Sequence, residues 1–165
     1  MIPAIFQTYA RYNVWMNQNL YTGCAKLSDV QRKNDMGAFF RSIHGTLNHI
    51  LVGDRMWMAR FTSKPLPPLM LDAIIHEDFD QLWADRQALD TEITTFATDL
   101  REDWLAQPFT YTSIAYGRTY TYPAWLLVTH MFNHQTHHRG QVTALMKQCG
   151  IDPGPTDLPA MSAGL

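Results

Sequence analysis

The sequence predicts an all-α fold, an antiparallel four-helix bundle with long crossover loops and a short β-hairpin before the last helix. Two observations carry this. Apolar residues recur at three- and four-residue spacing over four long stretches, the period of helices that bury one face. Between those stretches lie a proline-rich segment and a run of alternating Thr and Tyr, neither of which continues a helix. Four such helices bury their stripes most simply against one another. A chain of 165 residues suits one core, so 1–165 is read as a single domain.

The first helix is placed at 3–24, where Ile5, Phe6, Tyr9, Tyr12, Val14, Met16, Leu20 and Tyr21 recur and Gly23 marks the end. Ser28 and Gln31 have capping-box spacing, so a short helical piece is expected before Asp35-Met36-Gly37 turns the chain. The second long helix is placed at 38–61. One face carries Phe40, Ile43, Leu47, Ile50, Asp54, Trp57 and Phe61, and the other carries small residues, including Gly45 and Gly53, around His49. A helical glycine costs roughly 1 kcal/mol relative to alanine. Close approach of a neighbouring helix, with His49 reaching across, would explain both glycines. His44 lies off that face and is expected to be partly solvated.

Pro65, Pro67 and Pro68 make 62–76 a loop, and His76 a loop residue rather than a ligand. The third helix is placed at 78–103, with Phe79, Leu82, Trp83, Leu89, Ile93, Phe96 and Leu100 inward and its charges on a solvated face. The Thr/Tyr alternation of 108–122 about Tyr116-Gly117-Arg118 reads as the hairpin. Pro123 suits a first helical position and Gly150 a position just past a helix end, which brackets the last helix at 123–149. The tail beyond is too rich in Pro and Gly to stay helical for long, although Leu158 and Met161 suit folding back over the bundle. The loops at 62–76 and 104–122 are long enough to cross the bundle, so a simple up-down order is not forced.

Composition narrows the function classes. A hydrophobic fraction of 46% with 17% charged residues excludes a disordered chain. The net charge of −2, with no basic run, argues against a nucleic-acid or anionic-membrane surface. No apolar run approaches the ~18 residues of a membrane span, and the N-terminus lacks the basic region of a signal peptide. Cys24 and Cys149 form no CxxC pair and are expected to be free thiols in a reducing cytoplasm. Rings on the first helix (Tyr9, Tyr12, Trp15, Tyr21) outnumber what one buried stripe needs, so a homodimer through helix faces is expected.

The chemistry gathers in THMFNHQTHHRGQ, residues 129–141, which hold His130, His134, His137 and His138. Histidines four apart share a helix face and can reach one metal ion. A single such pair is more often polar surface, and His49 taken alone fits a core histidine bound to a carbonyl. Here His130/His134 overlaps His134/His138, with His134/His137 also available. Each four-residue step drifts about 40° around the helix, so three of these side chains share one ion poorly. Two from this helix and a third from elsewhere is the better arrangement, and spacing leaves the choice of pair open.

HILVGDRMWMARF (49–61) together with FNHQTHHRGQ (132–141) resembles the DinB/YfiT-like family of metal-binding four-helix bundles. The resemblance covers nearly the whole chain, including the hairpin and the TDLPAM tail of the damage-inducible DinB-like subgroup. It implies His49, His134 and His138 as the ligands of one divalent ion, with His130 and His137 near the mouth of the site or on the surface. Some relatives are thiol-dependent S-transferases or isomerases, which implies a low-molecular-weight thiol and an electrophilic small molecule as partners.

Three imidazoles suit zinc, nickel, iron or copper; zinc and nickel are the principal expectations. No cysteine stands near as a fourth ligand, which favours an open, catalytic site over a closed structural one. Asp54, Arg139 and Gln141 are candidate catalytic, orienting or substrate-contacting residues, and an Asp54–Arg139 ion pair is the structural alternative for two of them. A metal-dependent thiol transferase is thus weighed against a metal-dependent hydrolase, for which no plain general base is visible, and against a non-catalytic bundle with a structural ion or a stress-related binding role.

Overall fold

The computed structural model describes residues 2–66 and 68–163, so Pro67 of the proline-rich loop lies outside the described residues. In chain order the elements are α1 (Ile2–Cys24), α2 (Asp29–Lys33), α3 (Ile43–Phe61), α4 (Phe79–Asp99), α5 (Glu102–Leu105), β1 (Pro108–Thr112), β2 (Thr119–Pro123), α6 (Ala124–Gln148) and α7 (Leu158–Ala163). The four long helices, the hairpin and the Ser28 capping box all form.

Two helix boundaries differ from expectation. The second long helix begins at Ile43, not at 38, because Arg41 adopts φ 67° and Ser42 then caps the helix through its Oγ, 3.0 Å from the Gly45 amide. A Cβ on Gly45 would stand 2.2 Å from the Phe40 carbonyl oxygen. Gly45 therefore makes room for the chain's own entry turn and not for a neighbouring helix. The helix expected over 78–103 is two pieces, since Leu100 is extended (ψ 131°) between α4 and α5. Leu100 and Leu105 are both buried; in one straight helix they would point about 140° apart, and the break lets both reach the core.

α1 packs on α4 and α6, and α3 packs on the same two helices, so α1 and α3 lie on one diagonal of the bundle. Direction follows from the pairs that meet. Tyr21 stacks near Phe79 while Asn13 bonds Asp90, so α1 and α4 are antiparallel. His49 meets His138 while Trp57 meets His130, so α3 and α6 are antiparallel as well. α3 and α4, by contrast, run in the same direction: Asp54 meets Arg86 and Phe61 meets Phe96. The 62–78 loop must therefore return along the length of the bundle. Asn48 fastens it there: its Oδ1 accepts the Ile75 and His76 amides and its Nδ2 donates to the His76 carbonyl. His44 Nε2 lies 2.8 Å from the same carbonyl. His44 is thus buried against the loop rather than partly solvated, because the returning loop covers it.

The hairpin pairs Thr110 with Thr121 and Thr112 with Thr119, and their hydroxyls bond across the strands. Phe109 and Tyr111 turn inward against Phe61 and Trp57. The tail folds back as expected, with the Tyr12 hydroxyl donating to the Thr156 carbonyl.

The charges of α4 are not all on a solvated face. Arg86 is 1% exposed and lies between Asp54 (2.5 Å) and Asp90 (2.8 Å). Asp90 also accepts from Asn13 and Asn17 of α1, and Arg139 of α6 donates to Asn13 Oδ1. All four long helices therefore meet in one polar cluster. Burial pushes the carboxyls of Asp54 and Asp90 upward, and Arg86 opposes the shift. Arg86→Leu should leave two buried carboxyls unpaired and cost roughly 3–5 kcal/mol. Denaturant unfolding of the variant checks this, and Asp54→Asn combined with Arg86→Leu should recover part of the loss.

Candidate metal centre

His49 projects from the middle of α3, and His134 and His138 from successive turns of α6. Their ligand nitrogens all lie within 4.8 Å of one another. His49 Nε2 stands 3.1 Å from His134 Nε2 and 3.2 Å from His138 Nε2. Two imidazoles bound to one ion at 2.0–2.1 Å with a tetrahedral angle would be about 3.3 Å apart, so the spacing fits a common divalent ion.

The ring orientations decide which nitrogens face inward. A carbonyl oxygen only accepts, so the 2.7 Å contact of His49 Nδ1 with the Leu71 oxygen places the proton on Nδ1 and the lone pair on Nε2. His138 Nδ1 likewise donates to Gln141 Oε1 at 2.8 Å, and Gln141 Nε2 in turn donates to His137 Nε2 at 3.3 Å. Two lone pairs thus face each other at 3.2 Å with no proton between them. A cation held between them would relieve the repulsion. His134 Nδ1 is buried and has no partner among the described residues, so its ring is placed by packing. A Cβ on Gly53 would stand 2.9 Å from His134 Cε1. Here the small residue does allow the close helix approach expected from the sequence.

All three rings are kept neutral and able to ligate. Burial pushes His49 down to about 4 and His134 down to about 3, and burial lowers His138 too. Phe40, just before α3, stacks on His49 with ring centroids 3.7 Å apart and meets His138 edge-on. A pocket of about 630 Å³ opens beside His49 and His138. Phe39 and Phe40 form one wall, Met70, Leu71 and Asp72 of the returning loop a second, and Ile114 and Ala115 of the hairpin tip a third. His137 and Gln141 complete it.

Sequence candidates divide accordingly. Gln141 orients His138 and lines the pocket, whereas the partners of Asp54 and Arg139 lie in the polar cluster described above: Asp54 pairs with Arg86, and Arg139 bonds Asn13 and Thr136. The direct Asp54–Arg139 ion pair does not form among the described residues. His130 packs on Trp57 and is exposed, and the loop residue His76 pairs with Asp85 of α4. Cys24 and Cys149 are free and stand apart from the histidines. Phe40, the Leu71 carbonyl and Asp72 escaped the sequence reading. Phe40 had been placed inside a helix, and no local pattern marks a carbonyl that will meet a histidine 22 residues away.

Comparison with known proteins agrees with this architecture. The DinB family profile matches residues 1–164. The chain belongs to the DinB family. Protein DinB of Bacillus subtilis is 28% identical over 162 residues, covering 92% of this chain and 90% of that protein. A crystal structure of a DinB-like protein from Bacillus cereus superposes with a TM-score of 0.60 at 18% identity, over 85% of this chain and 89% of that one. For this DinB-family chain, the fold and a three-histidine group able to hold a metal ion are thus established together.

Two outcomes are expected. Gly53→Ala should displace His134 and weaken ion retention, by equilibrium dialysis, more than it lowers the thermal midpoint. In metal-free protein the depressed His49 and His134 contribute stability that is fully present above the ordinary histidine value of 6.5 and is lost as pH falls toward 4. The thermal midpoint should therefore drop across that window, and the drop should shrink in His134→Gln.

Proposed function

We propose that this protein is a metal-dependent enzyme that transfers a thiol to an electrophilic small molecule at an open three-histidine site. The observation that carries the reading is the pocket of about 630 Å³ beside His49 and His138, because a purely structural ion needs no such space. When bound, zinc or nickel supplies a Lewis acid that favours the deprotonated form of a thiol. The chain's own residues do the rest. Leu71 and Gln141 aim the lone pairs of His49 and His138, burial keeps the rings unprotonated, and Phe40 shields one side from water. The free state of Cys24 and Cys149 fits a reducing cytoplasm, where small thiols stay reduced.

We also propose that the protein is a homodimer. Ile2, Ile5 and Tyr9 share an outward face of α1, and Trp125 and Leu126 are exposed at the start of α6, at the same end of the bundle. A dimer mass by light scattering at micromolar concentration is expected, with Ile5→Glu shifting it toward monomer.

The chemistry is tested by loading the protein with Co²⁺ and titrating benzyl mercaptan. A saturable near-ultraviolet charge-transfer band, absent in His138→Ala, is expected. An azide response without a thiol band would move hydrolysis ahead. No response to either would identify the ion as structural.

A further inference from the structure

The pocket carries information about what it accepts. Its walls are apolar, and Phe39 and Met70 at its edge are 84% and 69% exposed, large apolar groups left largely bare. Among the described residues no Lys or Arg lines it, and Asp72 is the one carboxylate. Most other acidic side chains near a base are paired: Asp29 with Lys33, Asp35 with Arg41, Asp85 with Arg55, Asp103 with Arg101. Asp72 is exposed and has no ion-pair partner among the described residues. Away from the ion that the histidines would hold, a carboxylate or phosphate in this pocket would find no side-chain cation and would face Asp72. An ammonium group would find a free partner, while its hydrocarbon body covered the bare apolar walls.

We propose that the pocket selects a substrate with an apolar aryl or alkyl body bearing an ammonium group, that it disfavours anionic substrates, and that Asp72 is the residue reading the charge. This rests on the pocket being the substrate site of the reading above. Leu71 of the same loop segment holds His49, so Asp72 and the histidine cluster are fixed relative to each other by one short stretch of backbone. A substrate reacting at the cluster therefore passes its charged group within reach of Asp72.

The test uses the full chain loaded with Co²⁺ and three para-substituted benzyl mercaptans, bearing aminomethyl, methyl or carboxylate. The rigid ring keeps the far substituent away from the ion while sulfur occupies it. Midpoints of the charge-transfer titration and calorimetric midpoints are read side by side. The amine should bind best and the acid worst, with about a three- to tenfold span, the size of one exposed attraction plus one exposed repulsion. Raising the salt should narrow the span. Asp72→Asn should bring all three within about twofold, and Asp72→Lys should reverse the order, each midpoint being read on protein whose Co²⁺ content has been measured. Equal midpoints in the unaltered protein, or an order that survives Asp72→Asn, would overturn the proposal while leaving thiol coordination intact. Calorimetric binding in the expected order with no band would keep the charge selection and remove thiol coordination. Neither band nor heat with any of the three would overturn both.

Discussion

The site depends on α3 and α4 running side by side in the same direction. Parallel neighbours cannot be joined by a tight turn, so the chain between them has to travel back along the bundle. Asn48 and His44 hold that returning segment against α3, and at the residue after Asn48 the same segment delivers the Leu71 carbonyl to His49. The bond does more than satisfy a buried ring nitrogen. It decides which nitrogen carries the proton, and so which one faces the two histidines of α6. A helical hairpin with a short loop would leave His49 without this partner.

The interior balances two polar clusters at different costs. Asp54, Arg86, Asp90 and Arg139 bring together two charges of each sign: Arg86 pairs directly with both carboxylates, and Arg139 joins through Asn13, which bonds Asp90. Three buried histidines with their ring nitrogens drawn together are not balanced in this way. Burial removes their positive charge and nothing in the chain replaces it. One cluster sets charge against charge, and the other is a group that could hold a cation.

Much of this was legible in the sequence. The helical period found all four long helices, and alternation found the hairpin, because both reflect burial on one face. Asp54 stood among Ile50 and Trp57 on an apolar face, a position that fits its burial, although it was read as a candidate site residue or the partner of Arg139. Arg86 was missed, although it fills the gap in the stripe between Leu82 and Leu89 at helical spacing; charge alone had assigned it to solvent. The break at Leu100 depends on where Leu105 must go, and the late start of α3 depends on Arg41 adopting a left-handed conformation. Neither is a local preference that composition displays. Spacing narrowed the histidines of the last long helix without choosing among them, and the family resemblance supplied the trio that the fold brings together. The pocket was the least legible part, since its walls come from segments without periodicity.

That last point bears on how such a protein can diversify. The entry turn before α3, the returning loop and the hairpin tip wall the pocket, yet most of the bundle's packing is made by other residues. Ile114 and Ala115 sit at a turn whose length the strands do not dictate. Insertions or exchanges there would reshape the chamber without touching a ligand or a helix contact. The hairpin side of the chamber can thus vary independently of the histidine cluster, and one durable scaffold can change the shape of its pocket a few residues at a time.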